Sequence, residues 1–171
     1  MLEIEVKVRV KDLEALREAL LKSGAQLKKE RSSEENTLYD FPAQTLCQKR
    51  SALRLRTAGK KTFLAFKGAP QKSRRFKVRD EFETEVKNEK QTQKILRSLG
   101  LSPVFSYQKF RAVYRKGRLK ICLDETAAGC FCELEGEKNE IVKFAKTLGF
   151  SRADLIKLDY VQLLEKKGKK P

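Results

Sequence analysis

The chain reads as an α+β protein: an eight-stranded antiparallel β-tunnel, that is a closed barrel, with flanking helices. Three observations predict it. Residues 1–10 alternate strictly, with Leu2, Ile4, Val6, Val8 and Val10 on one face and Glu3, Glu5, Lys7 and Arg9 on the other, the period of two that marks a strand. The alternation returns along the chain with short connections, which argues for antiparallel pairing. The polar face of nearly every such segment carries two or three full charges in a row. Helices can cover the apolar faces, and closure into a barrel turns the charged faces inward.

The elements follow in order. After the first strand, residues 12–22 switch to helical spacing with Leu13, Leu16, Leu20 and Leu21, ended by Ser23-Gly24. A short strand is predicted at 37–41, before Pro42. Residues 51–57 oppose Leu53 and Leu55 to Arg54 and Arg56. Residues 62–67 form the next strand, between Gly59 and Gly68. Residues 76–87 follow, with Arg79, Glu81, Glu83 and Glu85 on one face and Phe82 and Val86 on the other. A helix at 88–99 has Asn88 as its N-cap, Gln91, Ile95 and Leu99 in step, and Gly100 as its stop. Strands at 104–115 and 118–124 join through Lys116-Gly117 as a hairpin, and 129–137 completes the set. Helices close the chain at 138–148 and about 159–166. The domain is expected to span 1–165, with 166–171 a solvated basic tail.

Composition narrows the chemistry. Of 171 residues 36% are charged, and 39 Lys+Arg against 23 Asp+Glu give a formal net charge of +16. That balance favours anionic partners. No histidine is present, which removes Ser-His and Cys-His nucleophile arrangements. Cys47, Cys122, Cys130 and Cys132 lack the paired spacings of a structural zinc site and read as free thiols. No apolar run approaches ~20 residues, so no membrane span is expected. The charged opening is not that of a signal peptide, so a cytoplasmic location is expected.

The charged faces carry the function. A solvated sheet with cross-strand ion pairs would show charges too. Yet carboxylates recur as Glu-x-Glu at 3/5, 81/83 and 133/135. Two acids two apart on one face repel unless a cation lies beside them, and hard divalent ions seek such oxygen clusters together with substrate phosphates. The bases also pair, as Arg54-x-Arg56 and Lys109-x-Arg111, and Arg matches phosphate oxygens with its planar fork. Acid pairs and basic pairs on one inner surface describe a metal-assisted polyphosphate site. A nucleic-acid binder would have little use for three Glu-x-Glu pairs; Trp is absent and the Phe residues read mostly as core, so base-stacking platforms are not expected.

The order of these motifs resembles the CYTH superfamily, the triphosphate tunnel metalloenzymes: Glu3-x-Glu5-x-Lys7, Arg54-Leu-Arg56, Lys67-Gly, Arg79-Asp-Glu81-Phe-Glu83-Thr-Glu85, Lys109-Phe-Arg111, Leu-Asp124 and Glu133-Leu-Glu135-Gly. The match runs over nearly the whole chain and is closest to the class IV adenylyl cyclase-like branch. The resemblance implies a tunnel holding Mg²⁺ or Mn²⁺ and a small triphosphate. It gives ATP conversion to cyclic AMP and pyrophosphate as the expected reaction, with hydrolysis of tripolyphosphate, thiamine triphosphate or a nucleoside triphosphate as the alternative. A non-catalytic polyphosphate or nucleic-acid binding module is a further alternative, and a homodimer stays open. The expected roles are Glu5, Lys7, Lys109 and Glu133 in catalysis; Lys7, Arg54, Arg56, Lys67, Lys109 and Arg111 on the phosphates; and Glu3, Glu5, Asp124, Glu133 and Glu135 on metal, with Glu81 and Glu83 as further candidates. Three segments depart from the superfamily pattern: Asn36–Phe41, without an acid ahead of Tyr39; the loop from Asp124 to Phe131; and Asp159-Tyr160. They are expected to leave the charged ring untouched.

Overall fold

The structure, a computed structural model, describes residues 2–168. Eight strands are β1 (Leu2–Val10), β2 (Gln26–Asp40), β3 (Ala52–Ala58), β4 (Lys61–Lys67), β5 (Lys77–Val86), β6 (Ser102–Lys116), β7 (Leu119–Thr126) and β8 (Gly129–Glu135). The helices are α1 (Leu13–Lys22), α2 (Thr45–Gln48), α3 (Glu89–Ser98), α4 (Lys138–Thr147) and α5 (Tyr160–Gly168), with a 3₁₀ turn at Arg152–Asp154. The strands form a closed barrel in the order β1-β5-β4-β3-β2-β6-β7-β8, with β8 returning to β1 in antiparallel register. Among the described residues no helix is long and apolar enough to cross a membrane. Of the basic tail, 166–168 continue α5, and 169–171 lie outside the described residues.

Two compact units make up the chain, and four strands, β1, β2, β5 and β6, have residues in both. One comprises Leu2, Ser33–Gln71 and Arg79–Gln108; the other comprises Glu3–Ser32, Lys72–Val78 and the chain from Lys109 onward. Each has its own apolar core. In the second unit the outer faces of β1, β7 and β8 (Val6, Val8, Ile121, Leu134) pack against Leu16 and Leu20 of α1 and Ile141 and Phe144 of α4. In the first, Tyr39 and Leu55 pack with Leu96 of α3 and Leu101. Burying each such side chain contributes about 1.5–3 kcal/mol. Asn88 caps α3 as read, accepting from Gln91 N, and Asp12 caps α1, accepting from Ala15 N.

Some expectations are corrected. β2 begins at Gln26, well before residue 37. Its first half, Gln26–Asn36, carries too little apolar alternation to announce a strand; pairing of Glu34–Tyr39 with β3 secures it. The stripe chosen for α3 faces outward: Ile95 is 59% and Leu99 64% exposed, while Leu96 is buried. In α1, Leu21 is exposed as well. The outer faces of β4 and β5 are not wholly covered, since Phe66 and Phe82, paired across the two strands, remain exposed.

Candidate functional site

In the second unit, seven ionised side chains are buried together: Glu5, Lys7, Lys77, Lys109, Arg111, Asp124 and Glu133. Alternation explains why, since an outer face of Val and Leu under helices leaves the other residues of β1, β7 and β8 no exit to solvent. Register Lys7↔Glu133 sets β1 against β8. Lys7 Nζ then bridges two carboxylates, 3.1 Å from Glu5 Oε1 and 3.0 Å from Glu133 Oε2. Register Arg111↔Asp124 does the same for β6 and β7. Arg111 grips Asp124 bidentately, Nε to Oδ1 at 2.6 Å and Nη2 to Oδ2 at 2.5 Å, and reaches Glu133 Oε1 at 2.9 Å. Lys109 Nζ lies 3.4 Å from Asp124 Oδ2. Lys77, at the start of β5, stands 3.6 Å from Glu5 Oε1 and 3.2 Å from Asp159 Oδ2.

Tyr160, the first residue of α5, completes this network. Its hydroxyl donates to Asp124 Oδ2, and the ammonium groups of Lys7 and Lys109 lie 5.0 and 4.7 Å from its ring centroid, within cation–π range. Burial, reinforced by Asp124 and Glu133, pushes the phenol well above its ordinary range. It is therefore a donor at neutral pH. Asp159-Tyr160 thus does touch the charged ring, contrary to the sequence expectation. Tyr160, Asp159, Lys77 and Glu34 are the residues that sequence reasoning missed. Lys77 shares the parity of Arg79, which was the available signal.

Burial alone would raise the three carboxyls; neighbouring cations outweigh it. Lys7 draws Glu5 below its ordinary value, with help from Lys77. Arg111 and Lys109 lower Asp124. Arg111, Lys7, Lys109 and Lys120 hold Glu133 well below the carboxylate range. Groups with depressed folded-state pKa values contribute stability that is fully present above the unfolded value, near 4, and is lost as pH falls below it. Urea midpoints are therefore expected to stay level from pH 7 to about pH 5 and then drop; a midpoint that rises on acidification contradicts the arrangement. Burial pushes the Cys122 thiol, which shares the inner face with Asp124, up to about 12, so it is not a nucleophile at neutral pH.

The first unit holds a second charged set. Arg56 donates to Glu34 Oε1 at 3.0 Å and Glu83 Oε1 at 2.9 Å, and its guanidinium lies 4.6 Å from the Phe63 ring centroid. Arg54 reaches Glu83 Oε2 at 3.2 Å and Glu81 Oε1 at 3.7 Å, and Lys67 meets Glu81 Oε2 at 2.5 Å. Glu81 and Glu83 here hold the basic residues in place. Of the remaining expected ligands, Glu3 is buried on β1 and Glu135 pairs with Lys120 at 2.7 Å.

Among the described residues no group of three or more acids, histidines or cysteines is gathered as a metal cage, because basic side chains are interleaved with the carboxylates. The donor chemistry nevertheless fits a hard divalent ion. Glu5 and Glu133 are buried, anionic, and already share one cation, the Lys7 ammonium; such oxygens suit Mg²⁺ or Mn²⁺.

Comparisons place this chain in a family. A CYTH domain model matches residues 1–157. A Methanocaldococcus jannaschii protein, provisionally named an adenylate cyclase, is 27% identical over 95% of this chain and 98% of its own. A Vibrio parahaemolyticus structure with the same provisional name superposes with TM-score 0.86 at 24% identity, covering 96% of this chain and 98% of that one. A Hippeastrum protein, provisionally named an adenylyl cyclase and described as revealing a dominant triphosphatase activity, gives 0.71 at 24% identity over 99% and 97%. With its closed eight-stranded barrel and a family match over most of its length, the chain belongs to the CYTH domain family.

Proposed function

We propose that this chain is a divalent-metal-dependent enzyme acting on a small triphosphate, and that it converts ATP to cyclic AMP and pyrophosphate. The observation that carries the reading is the burial of seven charged side chains on one set of strand faces. As a stabilising device such burial is poor, since apolar residues would serve as well; as a site for charged substrate it is what electrostatic catalysis needs.

Lys7, Lys109 and Arg111, with Arg54, Arg56 and Lys67, would bind phosphate oxygens and spread the charge that develops on them. Glu5 and Glu133 would hold Mg²⁺ or Mn²⁺, with Glu3, Asp124 and Glu135 as further donors. When bound, the ion would neutralise phosphate charge and stabilise the leaving oxygen. In the cyclase reaction the oxygen of the ribose 3′-hydroxyl attacks the α-phosphorus and its proton passes to water, while the bond from that phosphorus to the bridging oxygen breaks and pyrophosphate leaves. Such transfer requires positioning and electrostatics and no covalent nucleophile, in keeping with a chain that lacks histidine.

The dominant triphosphatase activity described for the Hippeastrum protein supports a second reading, in which water attacks the terminal phosphorus and the same side chains serve. One incubation separates them: ATP, tripolyphosphate and thiamine triphosphate, each with Mg²⁺ or Mn²⁺. Cyclic AMP with pyrophosphate is the expected result. Free phosphate would favour the second reading, and no turnover of any of the three would sink both.

A further inference from the structure

Along β6 the buried cations continue into aromatic residues. Val104, Ser106 and Gln108 are exposed, while Phe105 and Tyr107 are half-buried and Lys109 and Arg111 buried. The inner face therefore runs Phe105, Tyr107, Lys109, Arg111, each about 7 Å from the next. The two rings lie with centroids 6.1 Å apart, tilted by 49°.

A second observation comes from β2, the neighbouring strand. Asn36 is 1% exposed, and among the described residues its Oδ1 accepts no hydrogen bond. Its Nδ2 has one long contact among the described residues, 3.4 Å to the Glu34 carbonyl. A buried acceptor without a donor is costly. Two contacts on the outer faces fix the level of the strands: Thr37 Oγ1 with Ser106 Oγ at 3.2 Å, and Gln108 Nε2 donating to Ser33 Oγ at 2.9 Å. One residue along, on the opposite face, stand Asn36 of β2 and Tyr107 of β6.

We infer that this inner face of β2 and β6 is a recognition site for a planar, amino-bearing heteroaromatic head group on the triphosphate. Tyr107 and Phe105 present ring faces for stacking, and the Asn36 amide oxygen accepts a hydrogen from the exocyclic amine. An aromatic face stacks on any heteroaromatic ring, whereas a buried amide oxygen penalises a ring that brings no donor. Inorganic tripolyphosphate, having no ring, gains nothing here. The inference rests on the triphosphate reading above.

Calorimetric binding of ATP, inosine triphosphate and tripolyphosphate in Ca²⁺ buffer tests both and tells them apart. The parent is expected to bind ATP more tightly than inosine triphosphate, which lacks the amine. Tyr107→Leu should raise the ratio of Kd for ATP to Kd for tripolyphosphate about tenfold, and Tyr107→Phe, which keeps the ring, should restore it. Asn36→Ala should abolish the preference for ATP over inosine triphosphate. Equal effects of Tyr107→Leu on ATP and tripolyphosphate would overturn the head-group site and leave the triphosphate reading standing. A parent protein that binds none of the three would remove both.

Discussion

Glu133→Gln lowers turnover of the best triphosphate substrate by about a hundredfold or more at saturating Mg²⁺. Three functions meet on this side chain. It shares the Lys7 ammonium with Glu5, it accepts from Arg111 at 2.9 Å, and it is one of the two carboxylates proposed above to hold a divalent ion. Gln keeps the shape but removes the charge, and its amide nitrogen offers hydrogens toward either Lys7 or Arg111, which are donors themselves. Loss of a single preorganised electrostatic group costs about 10²–10³ in rate, and a weakened metal ligand compounds it. The measurement is release of pyrophosphate or phosphate, with a circular dichroism melt beside it. A rate within about threefold of the parent, from a protein that melts normally, would remove Glu133 from the catalytic set.

Arg111→Ala destabilises the fold by about 3–5 kcal/mol at pH 7, the usual consequence of removing one partner from a buried ion pair. Asp124 is fully buried and takes both oxygens' bonds from this guanidinium. Without it the carboxylate keeps Tyr160 and Lys109 but loses its bidentate partner, and its pKa rises. The destabilisation is therefore largest above the ordinary carboxylate pKa and shrinks as pH falls through it, because a protonated Asp124 no longer needs the cation. Urea denaturation at pH 7 and near pH 4 reads the difference. Arg111→Met combined with Asp124→Leu should recover part of the loss. A single Arg111→Ala variant as stable as the parent at pH 7 would mean that Asp124 has other compensation.

How much of this the sequence disclosed depended on whether a strand had two distinguishable faces. β1 alternates aliphatic and charged residues without a break, so strand, face and the inward positions of Glu5 and Lys7 could all be read at once. Arg54, Arg56, Lys109, Arg111, Asp124 and Glu133 were legible for the same reason. β2 was not, because Lys-Lys-Glu-Arg-Ser-Ser-Glu-Glu-Asn shows no apolar face; Glu34 and Asn36 are buried on a strand that lies between β3 and β6. Phe105 and Tyr107 share parity with Lys109, yet the Phe residues read mostly as core and Tyr107 was not singled out. In α3 a four-residue spacing of Gln91, Ile95 and Leu99 suggested a buried stripe, while tertiary packing selected Leu96. Tyr160 lies far along the chain from Asp124, and no local pattern joins them. The partner of each charge was likewise hidden, since alternation gives a face and only cross-strand register gives a neighbour.

A crystal structure of the chain with Mn²⁺ and tripolyphosphate tests the central claim most directly. The account predicts an anomalous manganese peak at the Glu5 and Glu133 carboxylates and phosphate density against Lys7, Lys109 and Arg111. Manganese absent from those carboxylates, with the anion held by surface lysines such as Lys60 or Lys90, would contradict it.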